Sequence, residues 1–279
     1  MQAVEPVMVV DLFPQERRLL LELFAKLSEE DWQRPTVCAG WSVRDIGLHL
    51  LGDDIGYLAR NRDGFSNPFF AGRDMERWAS LMQNINEANE LWVRAMQRVS
   101  PALLADLLEL TGRQFYEYIA SLDAMAMNGT VSWAGPEAAP VWLDIAREYT
   151  ERWLHQQQIR DAVNRSGLKE RKFFHPVLDA FVRALPHTYR DVAVTDTTVV
   201  KLVVTGDAGD VWYVVGEANG WSLYKAVELQ PVCVVTMDQE TCWRLFTKGI
   251  DKEQARAGVQ IEGDEALGEK MLDTVSIIA

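Results

Sequence analysis

Apolar residues between positions 10 and 166 recur every three or four residues, which is the spacing of an amphipathic helix. Glycine and proline interrupt the pattern at Gly64, Pro101 and Gly135-Pro136, where they mark turns. The pattern predicts helices over about residues 10–28, 42–62, 74–99, 101–123 and 140–166. Long helices joined by short connections favour an antiparallel bundle.

The pattern changes near residue 170, after the charged segment Lys169–Lys172. A helix is predicted over about 176–189. Strands are predicted at Thr197–Thr205, Val211–Gly216 and Pro231–Met237, with a hairpin at Asn219-Gly220. A helix at about 239–248, the run Val259–Asp264 and a last helix from about Glu265 follow. The sequence therefore predicts two domains, a helical bundle over 1–170 and an α+β domain over 171–279.

Three potential metal ligands stand out in the helical part. His49 is followed 102 residues later by Glu151 and then by His155, so the set uses two of only four histidines. Glu151 and His155 are four residues apart and share one face of a helix. Two imidazoles and one carboxylate leave a divalent ion with an open coordination position, as in catalytic zinc sites. The alternative is a solvated i,i+4 pair and an ordinary, partly buried His49.

The helix that carries His49 has a defined start and two unusual glycines. Ser42 is predicted as its N-cap, with Asp45 at the capping-box position. Gly52 and Gly56 lie three and seven residues after the histidine, on its side of the helix. An interior glycine costs about 1 kcal/mol relative to alanine, so the pair indicates either room for a ligand or close helix packing.

The helix that carries Glu151 and His155 is harder to reconcile with a metal site. Its apolar face is defined by five residues and lies nearly opposite Glu151 and His155. These five residues are Trp142, Ile145, Ala146, Tyr149 and Trp153. An amphipathic helix of this kind predicts that Glu151 and His155 face water. A metal site requires instead that the helix is covered on both sides.

Composition narrows the class of protein. Hydrophobic residues make up 48% of the chain, and no apolar run reaches the 18 residues of a membrane helix. The N-terminus lacks a basic segment followed by an apolar core, so we expect a cytoplasmic protein without a membrane partner. A net charge of −13 argues against nucleic acid, because phosphate binding needs a basic surface.

The cysteines point to a reducing compartment. Cys38, Cys233 and Cys242 are odd in number, widely spaced and without a Cys-x-x-Cys pair, so no disulfide framework is expected. Cys38 precedes the His49 helix closely. It is interpreted as a buried structural thiol, and the alternative is a position near the metal.

One motif resembles a known family. The run from Trp32 to Asp45, continued by His49–Asp54, is similar to the N-terminal motif of mycothiol-dependent maleylpyruvate isomerase-like proteins, within the wider DinB-like group. In that family a histidine on the second helix and a Glu-x-x-x-His pair on a later helix bind a divalent metal, usually taken as zinc. His49, Glu151 and His155 match these positions. The resemblance implies that the bundle is a DinB-like metal-binding domain.

The end of the chain carries a looser resemblance. The stretch from Asp238 through Gly249 to Gly263-Asp264 is similar to the sterol-carrier-like domain that follows the bundle in the same family. The resemblance implies that the α+β part is a sterol-carrier-like domain.

The resemblance also implies a chemistry. A low-molecular-weight thiol, mycothiol or an equivalent, would bind the metal and lose its proton. The thiolate would then add to a small electrophile; the enzyme is an isomerase if the adduct eliminates the thiol, and an S-transferase if the adduct is kept. A dicarboxylate substrate such as maleylpyruvate calls for an arginine, and Arg44, Arg152 and Arg244 are candidates. Asp53 is interpreted as a group that orients a ligand or as a solvated carboxylate.

Two other functions remain open. A non-catalytic binding protein could hold a small apolar ligand among four aromatic residues of the second domain, which are also interpreted as core packing. They are Trp212, Tyr213, Trp221 and Tyr224. The third hypothesis is a bundle whose metal is structural. The sequence leaves the oligomeric state open.

Overall fold

A computed structural model describes residues 1–75, 77–193 and 197–277. The chain forms two compact units, each built from separate stretches of sequence. The bundle unit comprises Val9–Asp123 and Glu151–Leu168, and the sheet unit comprises Met1–Met8, Ala124–Thr150 and the described residues from Lys169 onward. The predicted division of domains at residue 170 stays a prediction.

The bundle unit consists of helices that, apart from the short α2, lie close to the predicted ones. They are α1 (Phe13–Phe24), α2 (Glu29–Trp32), α3 (Val43–Tyr57), α4 (Trp78–Ala95), α5 (Pro101–Ala120) and the second half of α6 (Val141–Ala162). The predicted helix over 42–62 ends as an α-helix at Tyr57 and continues as one π-helical turn, Leu58–Arg62. Single 3₁₀ turns occur at Val10–Leu12, Pro68–Phe70 and Met96–Arg98.

The start of α3 is fixed by the capping box that the sequence predicts. The Ser42 hydroxyl accepts a hydrogen bond from the Asp45 backbone N–H, and the Asp45 carboxylate accepts one from the Ser42 N–H at 2.9 Å. Both groups would otherwise be unpaired at a helix N-terminus. The box defines where α3 begins, six residues before His49.

Most apolar side chains of α3, including Val43, Ile46, Leu48 and Leu51, are buried, so this helix lies in the centre of the bundle. It packs against α4 and α5, while α1 also packs against α5. The core includes residues from α1, α3, α5 and α6, together with the residue that follows α6: Leu20, Leu23, Phe24, Val43, Ile46, Leu48, Leu50, Leu51, Leu104, Leu108, Ile159 and Val163. Burial of so many aliphatic side chains provides the main driving force for this packing.

The sheet unit contains one six-stranded sheet and one two-stranded sheet. The strands are β1 (Gln2–Ala3), β2 (Met127–Thr130), β3 (Ala138–Pro140), β4 (Val199–Thr205), β5 (Val211–Glu217), β6 (Gly220–Ala226), β7 (Cys233–Asp238) and β8 (Val259–Gly263). The large sheet has the order β1-β6-β5-β4-β7-β8, and β2 pairs with β3. Strands β4 and β7 are parallel, and the other pairs are antiparallel.

Five helices accompany the sheet: α7 (Arg171–Phe181), α8 (Leu185–Thr188), α9 (Gln239–Phe246), α10 (Lys252–Arg256) and α11 (Glu265–Met271). Helix α7 begins at Arg171, five residues before the predicted start, and Pro176 lies inside it. The helix continues through the proline because Phe174, Val177 and Phe181 share one fully buried face. The architecture is a helical N-terminal region followed by a sheet-rich α+β region, as predicted.

The predicted hairpin at Asn219-Gly220 joins β5 to β6. Glu217 pairs with Gly220, and Gly216 pairs with Trp221. Gly220 has a φ of +122°, a conformation that residues with a Cβ rarely adopt. Glycine is therefore required at this turn for its backbone alone.

The aromatic residues proposed to hold an apolar ligand pack into the sheet unit. Trp212 is fully buried and donates its indole N–H to Asp179 at 2.8 Å. Trp221 donates to the carbonyl oxygen of Val192 at 3.1 Å, and Tyr224 donates its hydroxyl to Glu217. Satisfied indole and phenol groups are typical of core residues. Within the described part of the chain, no helix is both long and apolar enough to cross a membrane.

Candidate metal centre

His49 on α3 and His155 on α6 face each other inside the bundle unit. Their Nε2 atoms are 3.0 Å apart, and the ring planes are nearly perpendicular, at 83°. Both residues are buried, with 7% and 8% of their surface exposed. Two distant stretches of sequence are thus brought together at one pair of nitrogen atoms.

Gln158 defines which nitrogen of His155 is free to bind a ligand. The Gln158 Oε1 atom lies 2.7 Å from His155 Nδ1. An amide oxygen only accepts hydrogen bonds, so with this amide orientation Nδ1 carries the proton and Nε2 presents a lone pair towards His49. The same oxygen accepts a bond from the Cys38 thiol at 3.3 Å. Cys38 therefore lies beside the site, one side chain removed from the imidazole.

The imidazole of His155 is uncharged at neutral pH. Its pKa is lowered to about 3, chiefly by burial, and the neighbouring His49 acts in the same direction. A buried histidine without a carboxylate in strong contact loses its proton readily, because the charged form is poorly solvated. Neutral imidazole is the form that binds metals.

Two carboxylates approach the same pair of nitrogens. Asp53 Oδ2 lies 3.2 Å from His49 Nε2, and Glu151 Oε2 lies 3.7 Å from His155 Nε2. The ligand atoms of His49, Asp53 and His155 all lie within 4.8 Å of one another. Glu151 was predicted as a ligand, and its role stays a prediction. Asp53 was interpreted as an orienting group or a solvated carboxylate, although its i,i+4 spacing from His49 equals that between Glu151 and His155.

The donor set suits a divalent ion such as zinc. Zinc binds nitrogen at about 2.0–2.1 Å, so two tetrahedral nitrogen ligands lie about 3.3 Å apart. The observed separation of 3.0 Å between the two Nε2 atoms is close to this value. Two imidazoles with one or two carboxylates are also the ligand types that zinc prefers. The residues present therefore fit the metal that the resemblance implies.

The expectation that this side of α6 faces water is wrong. His155 is buried, and only 17% of the Glu151 side chain is exposed. The polar residues around them are buried against partners of their own: Arg152 contacts Asp54, and Gln156 donates to Glu16 at 2.6 Å. A hydropathy pattern treats such residues as solvated because it does not register their partners.

The two glycines of α3 have different environments. A Cβ on Gly52 would lie 2.7 Å from the indole nitrogen of Trp92, so this glycine permits close helix packing. A Cβ on Gly56 would meet nothing within 4 Å. On the other side of His49, the ring of Trp41 lies 5.1 Å away. The close-packing explanation thus holds for Gly52 and not for Gly56.

The three candidate arginines have other partners. Arg44 donates to the Gln97 side chain and to the backbone oxygen of Val99, at 2.9 and 2.6 Å. Arg152 binds the buried Asp54. Arg244 belongs to the sheet unit, where its guanidinium lies over the ring of Trp243.

The fold and the site together define a helical-bundle protein with a candidate metal centre made of two histidines and nearby carboxylates. The chain belongs to the family described as mycothiol maleylpyruvate isomerase N-terminal domain, whose model matches residues 13–160. This match confirms the family that the N-terminal motif indicated.

Solved structures agree on the fold. The chain is similar to the mycothiol-dependent maleylpyruvate isomerase, with a TM-score of 0.53 and 12% identity, over 91% of this chain and 92% of that one. A histidine-to-alanine mutant of that isomerase gives a TM-score of 0.52 at the same identity and coverage. No curated protein sequence matches the chain.

Proposed function

We propose that the protein is a metal-dependent enzyme that uses a low-molecular-weight thiol, mycothiol or an equivalent, to act on a small electrophile. The reaction is either an isomerisation or an S-transfer. The observation that supports this proposal is the 3.0 Å approach of the buried Nε2 atoms of His49 and His155. Membership of a family named for a mycothiol-dependent isomerase supports the thiol.

His49, Glu151 and His155 are the proposed metal ligands, and zinc is the proposed ion. A divalent ion bound there supplies a Lewis acid that lowers the pKa of a coordinated thiol. The protein contributes the rest: burial keeps the imidazole of His155 neutral, and Gln158 holds its proton on Nδ1. The nearby Asp53 carboxylate adds negative charge at the same point, which favours a cation.

We further propose that residues 1–170 carry the metal chemistry and that residues 171–279 form a sterol-carrier-like domain. All the candidate ligands belong to the bundle unit, which supports the first part of this division. A cytoplasmic location is part of the proposal. It is supported by the three cysteines, all of which are free in the described chain.

Metal analysis of protein purified without added metal tests the site. We expect nearly one equivalent in the wild type and only a trace in His49→Ala and His155→Ala. His187→Ala is the matched control, because this partly buried histidine belongs to the sheet unit, and it should keep the full content. A trace content in the wild type itself would reject the metal site.

A second pair of variants tests which of the two carboxylates, Glu151 or Asp53, binds the metal. Glu151→Gln and Asp53→Asn each remove one negative charge and keep the size of the side chain. If Glu151 is the ligand, Glu151→Gln lowers the metal affinity by a larger factor than Asp53→Asn does. The reverse order would assign Asp53 in its place.

Turnover assays separate the two reactions. The thiol is added in substoichiometric amount, first with unsaturated diacids and then with other electrophiles, and both thiol and substrate are followed. An isomerase converts many equivalents of substrate and returns the thiol, whereas a transferase stops when the thiol is consumed. Chelator-treated protein is the control. The absence of metal-dependent turnover with any cellular thiol would favour the binding-protein hypothesis.

A further inference from the structure

Asp54 is a fully buried carboxylate at which four helices of the bundle unit meet. It lies on α3 and accepts hydrogen bonds from α1, α5 and α6. Arg17 donates to both carboxylate oxygens, at 2.8 and 3.1 Å. Thr111 donates at 2.7 Å and Arg152 at 2.8 Å. Each neighbouring helix thus supplies one donor residue to the same carboxylate.

The carboxylate remains charged in this environment. Burial alone raises the pKa of Asp54, but Arg17 and Arg152 outweigh that effect and hold the pKa below its usual value. Arg152 is itself only 2% exposed, and its guanidinium lies 4.0 Å from the centre of the Phe115 ring. A buried ion pair with several hydrogen bonds tolerates little displacement, because an unpaired buried charge is very unfavourable.

The position of this ion pair relative to the candidate metal centre is the key observation. Asp54 directly follows Asp53, whose carboxylate contacts His49. Arg152 directly follows Glu151 and precedes His155 by three residues. On both helices, therefore, the residue that bonds across the bundle is next to a residue that faces the two imidazoles.

We propose that the Asp54–Arg152 ion pair sets the spacing of α3 and α6 and so holds His49 and His155 at the separation that a metal requires. This inference rests on the proposed metal site. Asp54 and Arg152 are assigned as positioning residues, because they would act through the spacing of the helices that carry His49 and His155. Hydrogen-bonded partners of metal ligands commonly change metal affinity by about 10–100-fold when altered, and we expect the same range for this pair, whose members are adjacent in sequence to Asp53 and Glu151.

Arg17 provides a matched control. It binds the same carboxylate with two hydrogen bonds, yet it lies on α1, which carries none of the candidate ligands. Arg17→Lys and Arg152→Lys both keep the positive charge and lose the planar guanidinium. Arg17→Lys disturbs two hydrogen bonds to Asp54, so it reports how a weakened ion pair at this carboxylate affects the stability of the fold.

The experiment measures Zn²⁺ affinity by competition with a chromophoric chelator and records the visible spectrum of the Co²⁺-substituted protein. We expect Arg152→Lys to weaken Zn²⁺ binding by about 10–100-fold and to change the Co²⁺ spectrum. Arg17→Lys should stay below that range and keep the wild-type spectrum. Urea unfolding of both metal-free variants records how much stability each has lost.

If Arg152→Lys does not fold, a second pair of variants, Asp54→Asn and its control Thr111→Val, tests the same inference. Asp54→Asn weakens the charged link to α6, whereas Thr111→Val removes a bond to the same carboxylate from a helix without ligands. Only Asp54→Asn is expected to weaken Zn²⁺ binding strongly.

Three outcomes are distinguishable. A loss of Zn²⁺ affinity in Arg152→Lys or Asp54→Asn, but not in its control, supports the inference. An equal loss of Zn²⁺ affinity in the variant and its control, or an unchanged affinity in both, overturns the inference without contradicting the metal site. A wild-type protein that binds neither Zn²⁺ nor Co²⁺ would instead reject the proposed function.

Discussion

The indole nitrogen of Trp92 on α4 lies 2.7 Å from the carbonyl oxygen of Leu48 on α3. Leu48 directly precedes His49, so this hydrogen bond joins α4 to the turn of α3 that carries the candidate ligand. The approach is possible because Gly52, one turn further along, has no side chain to separate the two helices.

Gly52→Ala is expected to destabilise the protein by about 1–3 kcal/mol, the usual cost of adding a methyl group to a packed interior. The new Cβ would lie 2.7 Å from the Trp92 ring and would force the indole away from Leu48. Urea unfolding and the fluorescence of the tryptophans would measure the change. Unaltered stability would show that the two helices separate without cost.

Gly56→Ala is the matched control, because it adds the same methyl group to the same helix where nothing lies within 4 Å. Here alanine should stabilise the protein by roughly 0.5–1 kcal/mol, since it restricts the unfolded chain and favours the helix. The same unfolding experiment would show opposite signs for the two variants.

Gln158→Met should weaken metal binding without unfolding the protein. The substitution removes the oxygen that holds the proton on His155 Nδ1, so the imidazole is free to rotate or to change tautomer. A reduction of about tenfold or more in Zn²⁺ affinity is expected from the loss of such a contact. Cys38→Ala is the control, because Cys38 contacts the same oxygen but not the ring. Equal effects of both variants would contradict the orienting role.

The free energy of unfolding of Glu16→Gln, measured relative to that of the wild type, should increase as the pH rises. Burial raises the pKa of Glu16 in the folded protein, although Arg17 and Arg152 oppose it. Between the unfolded pKa near 4.5 and the higher folded pKa, the folded state holds more protons, so wild-type stability falls as the pH increases through this window. The uncharged glutamine can still accept the bond from Gln156 and does not lose this stability. Urea unfolding from pH 4.5 to 8 would measure the difference; a constant difference would contradict the raised pKa.

Gly220→Ala should cost about 1–3 kcal/mol, the range for a residue held in a rarely populated backbone conformation. The hairpin needs a φ of +122° at this position, and there is free space for a methyl group, so the penalty is conformational alone. Gly129→Ala on the exposed β2 strand is the control, since it also has free space and its φ is not positive. Thermal unfolding should separate the two variants by several degrees.

The long elements could be predicted from the sequence, whereas the shortest ones could not. Helices α3 and α5 contain enough turns for the helical period to be recognised, and the hairpin at Gly220 has a specific turn residue. Strand β1 has two residues and β3 has three, too few to show an alternation of apolar and polar positions. Their existence depends on partners that are distant in sequence.

The candidate site was predictable as residue types but not as an environment. The resemblance of the motif around His49 indicated the candidate ligands, whereas helix periodicity placed Glu151 and His155 in water. The periodicity failed because Arg152, Gln156 and Arg160 are buried together with their partners, and a polar residue with a buried partner has the same hydropathy as a solvated one. The contact between Asp53 and His49 could not be predicted from the sequence, because it depends on the rotamer of the Asp53 side chain.

The pairing of Gln2 with Ala226 and of Ala3 with Tyr224 spans more than three quarters of the chain. During synthesis, the first strand has no partner until residues 224–226 have left the ribosome. The edge of the large sheet is therefore completed late, and closing so long a loop carries an entropic cost that nearer contacts avoid. Helices α1 to α5 make contacts that are closer in sequence, so they can associate before β1 pairs with β6.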